Sequence, residues 1–362
     1  MEIYLLLAVL SLSWHIISYL GKDTAFAKKA YLIVIFGILT LVAGLRAPTV
    51  GTDTPSYTRH FARIAATPWG ELTSHNMDFG FTLLNKLISL FTGNAQIMIF
   101  VVSLITLAGF AVFIYKNSDN IGTSVFLFIT LYQFCFFLNI MRQFLAIMLI
   151  CNAYYFLKKN KLIPFFALMI GAFFSHAAAI LFLPIMLFTF VKPRNIWIGI
   201  IVGVGLCALL FFKPLLSIFF RALPQYSWYQ DAPEYLQPKG FDENIVIWVA
   251  QAGLVIAALY IIRIKEKLSL PEQEVRELYL LAAIVTISIV LNLLTVRVMI
   301  ILRLNFYFYV FMIILIPKVL KYMGKHSRWL HPAMIVCLLA YFFVMLRNNN
   351  HEVVPYQFVF GQ

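Results

Sequence analysis

Apolar runs of about 17 to 22 residues recur from one end of the chain to the other, most of them separated by short polar loops. About 20 apolar residues is the length at which a helix crosses hydrocarbon with its backbone polar groups satisfied internally. The runs at 3–20, 31–45, 95–115, 121–138, 141–157, 162–174, 177–191, 196–212, 245–262, 278–295, 298–316 and 330–346 predict twelve spans. They form one all-α transmembrane domain covering residues 1–362, with a polar tail from Arg347. Two long polar segments interrupt the pattern, at 46–94 and 213–244. Inside the first, FGFTLLNKLISLF (79–91) is apolar but too short to cross, which predicts a re-entrant or interfacial helix.

Composition agrees. The chain is 62% hydrophobic and 12% charged, against about 25% charged in a soluble domain. The first run lacks a basic leader and an A-x-A-like cleavage site, so it predicts a retained helix rather than a signal peptide. Cys135, Cys151, Cys207 and Cys337 all lie in apolar runs without C-x-x-C spacing, which argues for core residues and against a disulfide frame or metal site. The formal charge of +13 does not indicate nucleic acid, because the lysines sit in short loops and form no patch with interleaved aromatics. The basic loops follow the odd-numbered runs: Lys22/Lys28/Lys29, Lys158/Lys159/Lys161, Lys192/Arg194, Arg263/Lys265/Lys267 and Lys318/Lys321/Lys325. The positive-inside rule puts that face in the cytoplasm. Both termini and both long polar segments are then expected outside.

The outer face, poor in lysine, collects arginine: Arg46, Arg59, Arg63, Arg142, Arg221 and Arg297, with Arg303 about one turn inside its run. A guanidinium placed in or near a span is costly, and its planar fork pairs bidentately with phosphate. Arg46, Arg142, Arg297 and Arg303 come from three separate spans and point to a site for a di-anion such as pyrophosphate. Arg46 opens the block GLRAPTVGTDTPSY (44–57), where Gly51-Thr52-Asp53-Thr54-Pro55 reads as a tight turn carrying one carboxylate. Asp53 is the outer carboxylate tied by sequence to an arginine, and it is the expected general base. His176, at the end of its run in FFSHAAAILFLP, is the alternative. Tyr57 is an aromatic candidate for stacking on a sugar, and Gln143 joins Arg142 in the M-R-Q block. His15, His60 and His75 have nothing converging on them in the sequence. No H-E-x-x-H, D-x-D or glycine-rich phosphate loop occurs, so neither a metal nor a cofactor is expected.

These blocks resemble the EpsG-type, Wzy-like bacterial polysaccharide polymerases. The resemblance rests on Gly44, Leu45, Arg46, Val50, Gly51, Thr52, Asp53 and Tyr57, then Asp78, Gly80, Phe81, Leu83 and Leu84. It continues in Met141-Arg142-Gln143 and in Phe174, Ser175, His176, Ala178 and Ala179 ahead of Pro184, and thins after residue 195. Where family members commonly carry Glu before the G-F, this chain has Asp78-Phe79, which leaves the role of that carboxylate open. The resemblance implies a GT-C-like architecture in the bacterial inner membrane. It implies transfer of a growing glycan from undecaprenyl pyrophosphate to a hydroxyl of the next lipid-linked repeat unit, at the outer face. Partners implied are the lipid-linked oligosaccharide, the bilayer, a chain-length regulator and a flippase.

Two other functions fit parts of the pattern. A flippase for the same lipid-linked glycan needs polar groups through the midplane, where only Gln133, Asn152, Gln251 and Asn292 stand. A glycan ligase would share the arginines and the architecture.

Overall fold

A computed structural model of the chain describes residues 1–21, 23–75, 77–222 and 245–361. Among these residues the secondary structure is helical, with no strand. Lys22 and most of the second polar segment, including Tyr226, Trp228, Tyr229, Asp231, Glu234, Tyr235, Asp242 and Glu243, lie outside the described residues. Five helices are long and apolar enough to cross a membrane, and up to eight if each of three bent pairs is one span. Four shorter apolar helical stretches accompany them. The molecule is a multi-pass membrane protein. The chain divides into two compact units, Met1–Ile180 with Met323–Gln362, and Leu181–Tyr322.

The first unit contains α1 (Glu2–Ser11), α2 (Ser13–Tyr19), α3 (Ala25–Gly44), α4 (Thr54–Ala66), α5 (Phe79–Ser89), α6 (Ala95–Asn117), α7 (Ile121–Thr130), α8 (Gln133–Asn139), α9 (Met141–Leu157) and α10 (Leu162–Ser175). The closing helix Ser327–Asn348 belongs to it as well. Several starts are capped by short polar side chains. Thr24 accepts from the Ala27 N–H (3.1 Å), Asn94 from Gln96 (2.8 Å) and Asn120 from Thr123 (3.0 Å). Helices α3, α6, α9 and α10 pack in succession. Helices α7 and α8 are buried along their whole length, and the expected span at 121–138 is broken there by a 52° bend. Tyr132, with φ of +67°, makes that bend.

The first polar segment folds into α4 and α5 on the outside of this packing. In α4, Thr54, Tyr57, Phe61 and Ile64 are buried at helical spacing while Arg59 and Arg63 are exposed. Helix α5 has 11 residues, roughly 16 Å at about 1.5 Å per residue, too short to cross a core of about 30 Å. Lys86 of α5 holds α4 by donating to the carbonyls of Ala65 (3.0 Å) and Thr67 (2.8 Å).

In the second unit the run at 196–212 is the helix Asn195–Leu210, followed by an 88° turn into Phe212–Ile218. The run at 298–316 starts later than expected, as Ile301–Tyr309 and Met312–Tyr322 meeting at 42°. Gln251, Ser288, Asn305 and Asn292 close a buried ring in which each side chain donates to the next, at 2.7, 2.6, 3.0 and 3.1 Å. The ring satisfies polar groups whose exposure to hydrocarbon would be costly. Lys318, counted above as a loop cation, lies inside the helix Met312–Tyr322. It is buried and paired with Glu274 (2.9 Å) and Glu277 (3.4 Å).

Candidate functional site

Helix α3 ends at Gly44, and the next residues enter a pairing with the far end of the chain. Arg46 forms an antiparallel bridge with Phe358. The Ala47 N–H donates to the Gln357 carbonyl (2.8 Å), Gly51 to Glu352 (2.9 Å) and Val359 back to Leu45 (2.9 Å). The Tyr356 hydroxyl donates to the Val42 carbonyl (2.7 Å), and Tyr4 of α1 donates to Val353 (2.9 Å). Residues 349–359 therefore form a strap across the turn at 44–54. Proline at 48 and the tight turn at 51–54 leave backbone groups without helical partners, and the strap supplies several of them.

Arg46 lies beneath this strap and is fully buried. Its guanidinium donates to the carbonyls of Ala43 and Leu138 (3.1 Å) and to the Thr54 hydroxyl (3.4 Å). Burial lowers its pKa to about 10, which leaves it charged at neutral pH. Gly51 adopts φ of +90°, and a Cβ there would stand 3.0 Å from the Leu138 carbonyl. Beside it, Asn139 Oδ1 accepts from the Thr52 N–H (2.7 Å) and hydroxyl (2.9 Å). The turn is thus fastened to the end of α8, with half-buried Asp53 in the N-cap position of α4.

One helical turn after Asp53, Tyr57 reaches the next group. Its hydroxyl accepts from the backbone N–H of Arg142 (3.3 Å), and its ring packs edge-on against Phe81 of α5. Arg142, in the first turn of α9, pairs through Nη1 with Asp78 Oδ2 at 3.1 Å. The other oxygen of Asp78 accepts from the Ala177 N–H (3.0 Å), directly after His176. His176 leaves α10 in extended conformation, its N–H donating to the Ala172 carbonyl (2.8 Å). These elements meet closely because Gly80 has no side chain. A Cβ there would come within 2.8 Å of the Phe174 carbonyl group.

The arrangement can bind an anion while holding a carboxylate and an imidazole nearby. Arg142 and Asp78 are partly exposed, at 26% and 19% of their side chains, so the cation is open to a ligand. His60 of α4 is held below its ordinary pKa by partial burial and by the charges of Arg63, Arg142, His75 and Arg59. Three arginines thus lie within electrostatic reach of His60.

Of the residues singled out from sequence, Tyr57 meets the backbone of Arg142, Asp78 links Arg142 to the N–H directly after His176, and Asp53 heads the same helix as Tyr57. Gln143 is buried beside Arg142. Arg46 serves the turn from beneath. Arg297, exposed, and Arg303, half-buried at the start of Ile301–Tyr309, belong to the second unit. Sequence reasoning left the role of Asp78 open, set His60 aside, and did not single out Asn139 or the strap. The placement of Asp78 two residues before a glycine, at a helix start, was the available signal. Among the described residues no group of three or more His, Cys, Asp or Glu side chains is arranged to hold a metal.

No curated protein and no solved structure matches the chain. The sequence model described as the EpsG family matches residues 29–358.

Proposed function

The chain belongs to the EpsG family, and from that membership we propose that it is a polysaccharide polymerase acting on lipid-linked repeat units. The donor is a glycan on undecaprenyl pyrophosphate and the acceptor is a sugar hydroxyl of the next lipid-linked unit. The observation that carries the reading is the Arg142–Asp78 pair, accessible to a ligand and flanked by Tyr57 and the backbone N–H of Ala177.

In this mechanism Arg142 shares its guanidinium between Asp78 and the pyrophosphate. Asp53 takes the proton of the acceptor hydroxyl as its oxygen attacks the anomeric carbon, with His176 as the alternative base. The bond from that carbon to the pyrophosphate oxygen breaks, and the lipid pyrophosphate leaves with the electron pair. Cationic donors that bind the departing charge more tightly than the ground state lower the barrier. Tyr57 braces the backbone of Arg142 beneath the approach of the sugar, and Gln143 is buried beside it. Arg46 supports the turn that presents Asp53.

Twelve crossings of a GT-C-like bundle, counting the four shorter apolar stretches as spans, accommodate this scheme. The strap supports it, because the N-terminus, the turn and the tail meet at one end of the first unit. That requires an even number of crossings between residues 54 and 348. We assign that end to the outer face of the inner membrane.

The test is reconstitution of the purified protein with a lipid-pyrophosphate-linked repeat unit. A ladder of products is expected from wild type, and none from Arg142→Ala or Asp53→Asn. Removing one charge-stabilising donor costs on the order of 3 kcal/mol, or about 100-fold in rate. Wild-type chain lengths from either variant would overturn the assignment. So would transport of the unit across vesicles without chain growth.

A further inference from the structure

A second constellation lies at the other end of the first unit. His15 of α2, Thr123 in the first turn of α7 and His331 of the closing helix are far apart in sequence and meet side by side. The two Nε2 atoms are 3.2 Å apart. The Thr123 hydroxyl oxygen lies 3.0 Å from the His331 nitrogen and 3.4 Å from that of His15. The meeting is built into the packing. Gly122 lets α2 lie directly on α7, since a Cβ there would fall 2.6 Å from that of Trp14. Trp14 is buried and packs against Tyr31, and Asn120 accepts the Thr123 N–H. These contacts fix the backbone that carries two of the three side chains.

The ring geometry distinguishes two ways for a pair of imidazoles to face each other. Joined head-on by an N–H···N hydrogen bond of this length, their centroids would stand roughly 5.5 Å apart. Aimed at one shared ion at a metal–nitrogen distance of about 2.1 Å, they would stand roughly 4.9 Å apart. The observed separation is 4.8 Å, with the ring planes 43° apart. The three donor atoms form a triangle with edges of 3.0, 3.2 and 3.4 Å. The edge of a tetrahedron around zinc at such distances is roughly 3.4 Å.

We propose that His15, His331 and Thr123 bind a divalent transition-metal ion of the zinc class, joining α2, α7 and the closing helix. Neutral imidazoles suit zinc, cobalt and copper among the divalent ions. The hydroxyl is a weak third donor, and water completes the shell. This site is separate from the proposed polymerase site, up to about 24 Å away along α7 and α8 at about 1.5 Å per residue. Its effect is on the closing helix, whose buried residues are Phe342 and Leu346, near its other end. That helix delivers the strap to the turn carrying Asp53. A metal at its start fixes the end that apolar packing leaves open.

The experiment uses the full-length protein, purified on a non-histidine tag, stripped with chelator and titrated with cobalt(II). One equivalent is expected to bind with the visible absorption of a tetrahedral centre, and zinc is expected to displace it. His331→Asn and His15→Asn abolish this signal, whereas His75→Asn keeps it. Because a variant can fail to fold, His331→Cys is run in parallel. It retains a ligand and is expected to add a thiolate-to-cobalt charge-transfer band. Zinc is also expected to raise the thermal midpoint of wild type but not of His331→Asn. Absence of stoichiometric binding by folded wild type overturns the proposal, as does binding that survives His15→Asn/His331→Asn.

Discussion

Arg46 and Arg142 look alike in the sequence, each a cation at the end of an apolar run, yet they are used differently. Arg46 is fully buried with its donors on two carbonyls and a hydroxyl. Arg142 is partly open and faces a carboxylate. Arg46→Ala would orphan buried acceptors, at a cost of about 3 kcal/mol in folding. Arg142→Ala removes a partly solvated pair worth about 1 kcal/mol or less. Thermal unfolding in detergent is therefore expected to show a large loss for Arg46→Ala and a small one for Arg142→Ala, while glycan elongation is lost in both. Equal midpoints for the two variants would contradict this division. Local sequence could mark both residues as unusual but could not separate them, because the acceptors of Arg46 include a carbonyl at position 138. His60 supplies the pH dependence. Its folded pKa lies below the ordinary 6.5, chiefly through burial and then through the neighbouring arginines. Above 6.5 it is neutral in both folded and unfolded chains and contributes no pH dependence. As pH falls below 6.5 the unfolded chain takes up the proton first, so stability declines until the folded pKa is reached. His60→Gln is expected to flatten part of the fall in thermal midpoint between pH 7.5 and pH 5, and an unchanged profile would refute the shift.

Among the elements, the long apolar helices were the most legible. The run at 141–157 is the helix Met141–Leu157, and the run at 95–115 is extended by two residues as Ala95–Asn117. Hydrocarbon length dictates both without tertiary help, and Asn94 caps the start of the second. The bends were not legible, since Leu131-Tyr132 interrupts a span with neither proline nor glycine, and the apolar run reads straight through it. The expected span at 177–191 is a 3-10 helix, Ala177–Met186, followed by Leu187–Phe190. Its first N–H groups have no intrahelical partner, and Asp78 takes one of them. The contact of α5 with α10 was hidden for a related reason. Gly80 resembles a poor helix residue until its partner at Phe174 is known. Gly80→Ala brings a methyl group into the Phe174 backbone, which cannot rotate away, at a cost of about 1–3 kcal/mol. It is expected to lower elongation beyond what the stability loss explains, because Asp78 lies two residues away and would lose its register with Ala177. Gly70→Ala, which meets nothing within 4 Å, serves as the comparison. Equal activity in the two variants would remove the role given to this close approach.

For the whole molecule the informative feature is that residues 349–359 lie against the end of α3, the first of the long helices. The sequence offers residues 349–359 only as a polar tail, because pairing between positions 46 and 358 leaves no local mark. Once the pairing is known it constrains topology independently of charge. The strap bonds to both the turn and Tyr4, so the start of α1, the end of α3 and the end of the closing helix share one side. The lysine-rich loops gave the same grouping by a different argument, although buried Lys318 shows that not every lysine in the count is topogenic. Single cysteines placed in a background lacking the four native ones distinguish the arrangements. Gly70→Cys and Phe360→Cys, both at exposed positions, are expected to react with a membrane-impermeant thiol reagent in intact cells. Lys159→Cys and Lys267→Cys are expected to react only after permeabilisation. If the first two label from opposite sides, the strap cannot reach the turn in the membrane and the parity argument fails. If they label together but from the cytoplasm, the strap survives while the assignment of the proposed site to the outer face does not. Deleting residues 349–362 tests the same contact chemically. With Ala47, Gly51 and Val42 stripped of their partners, the turn carrying Asp53 loses its outer support, and elongation is expected to fall at least as far as in Asp53→Asn.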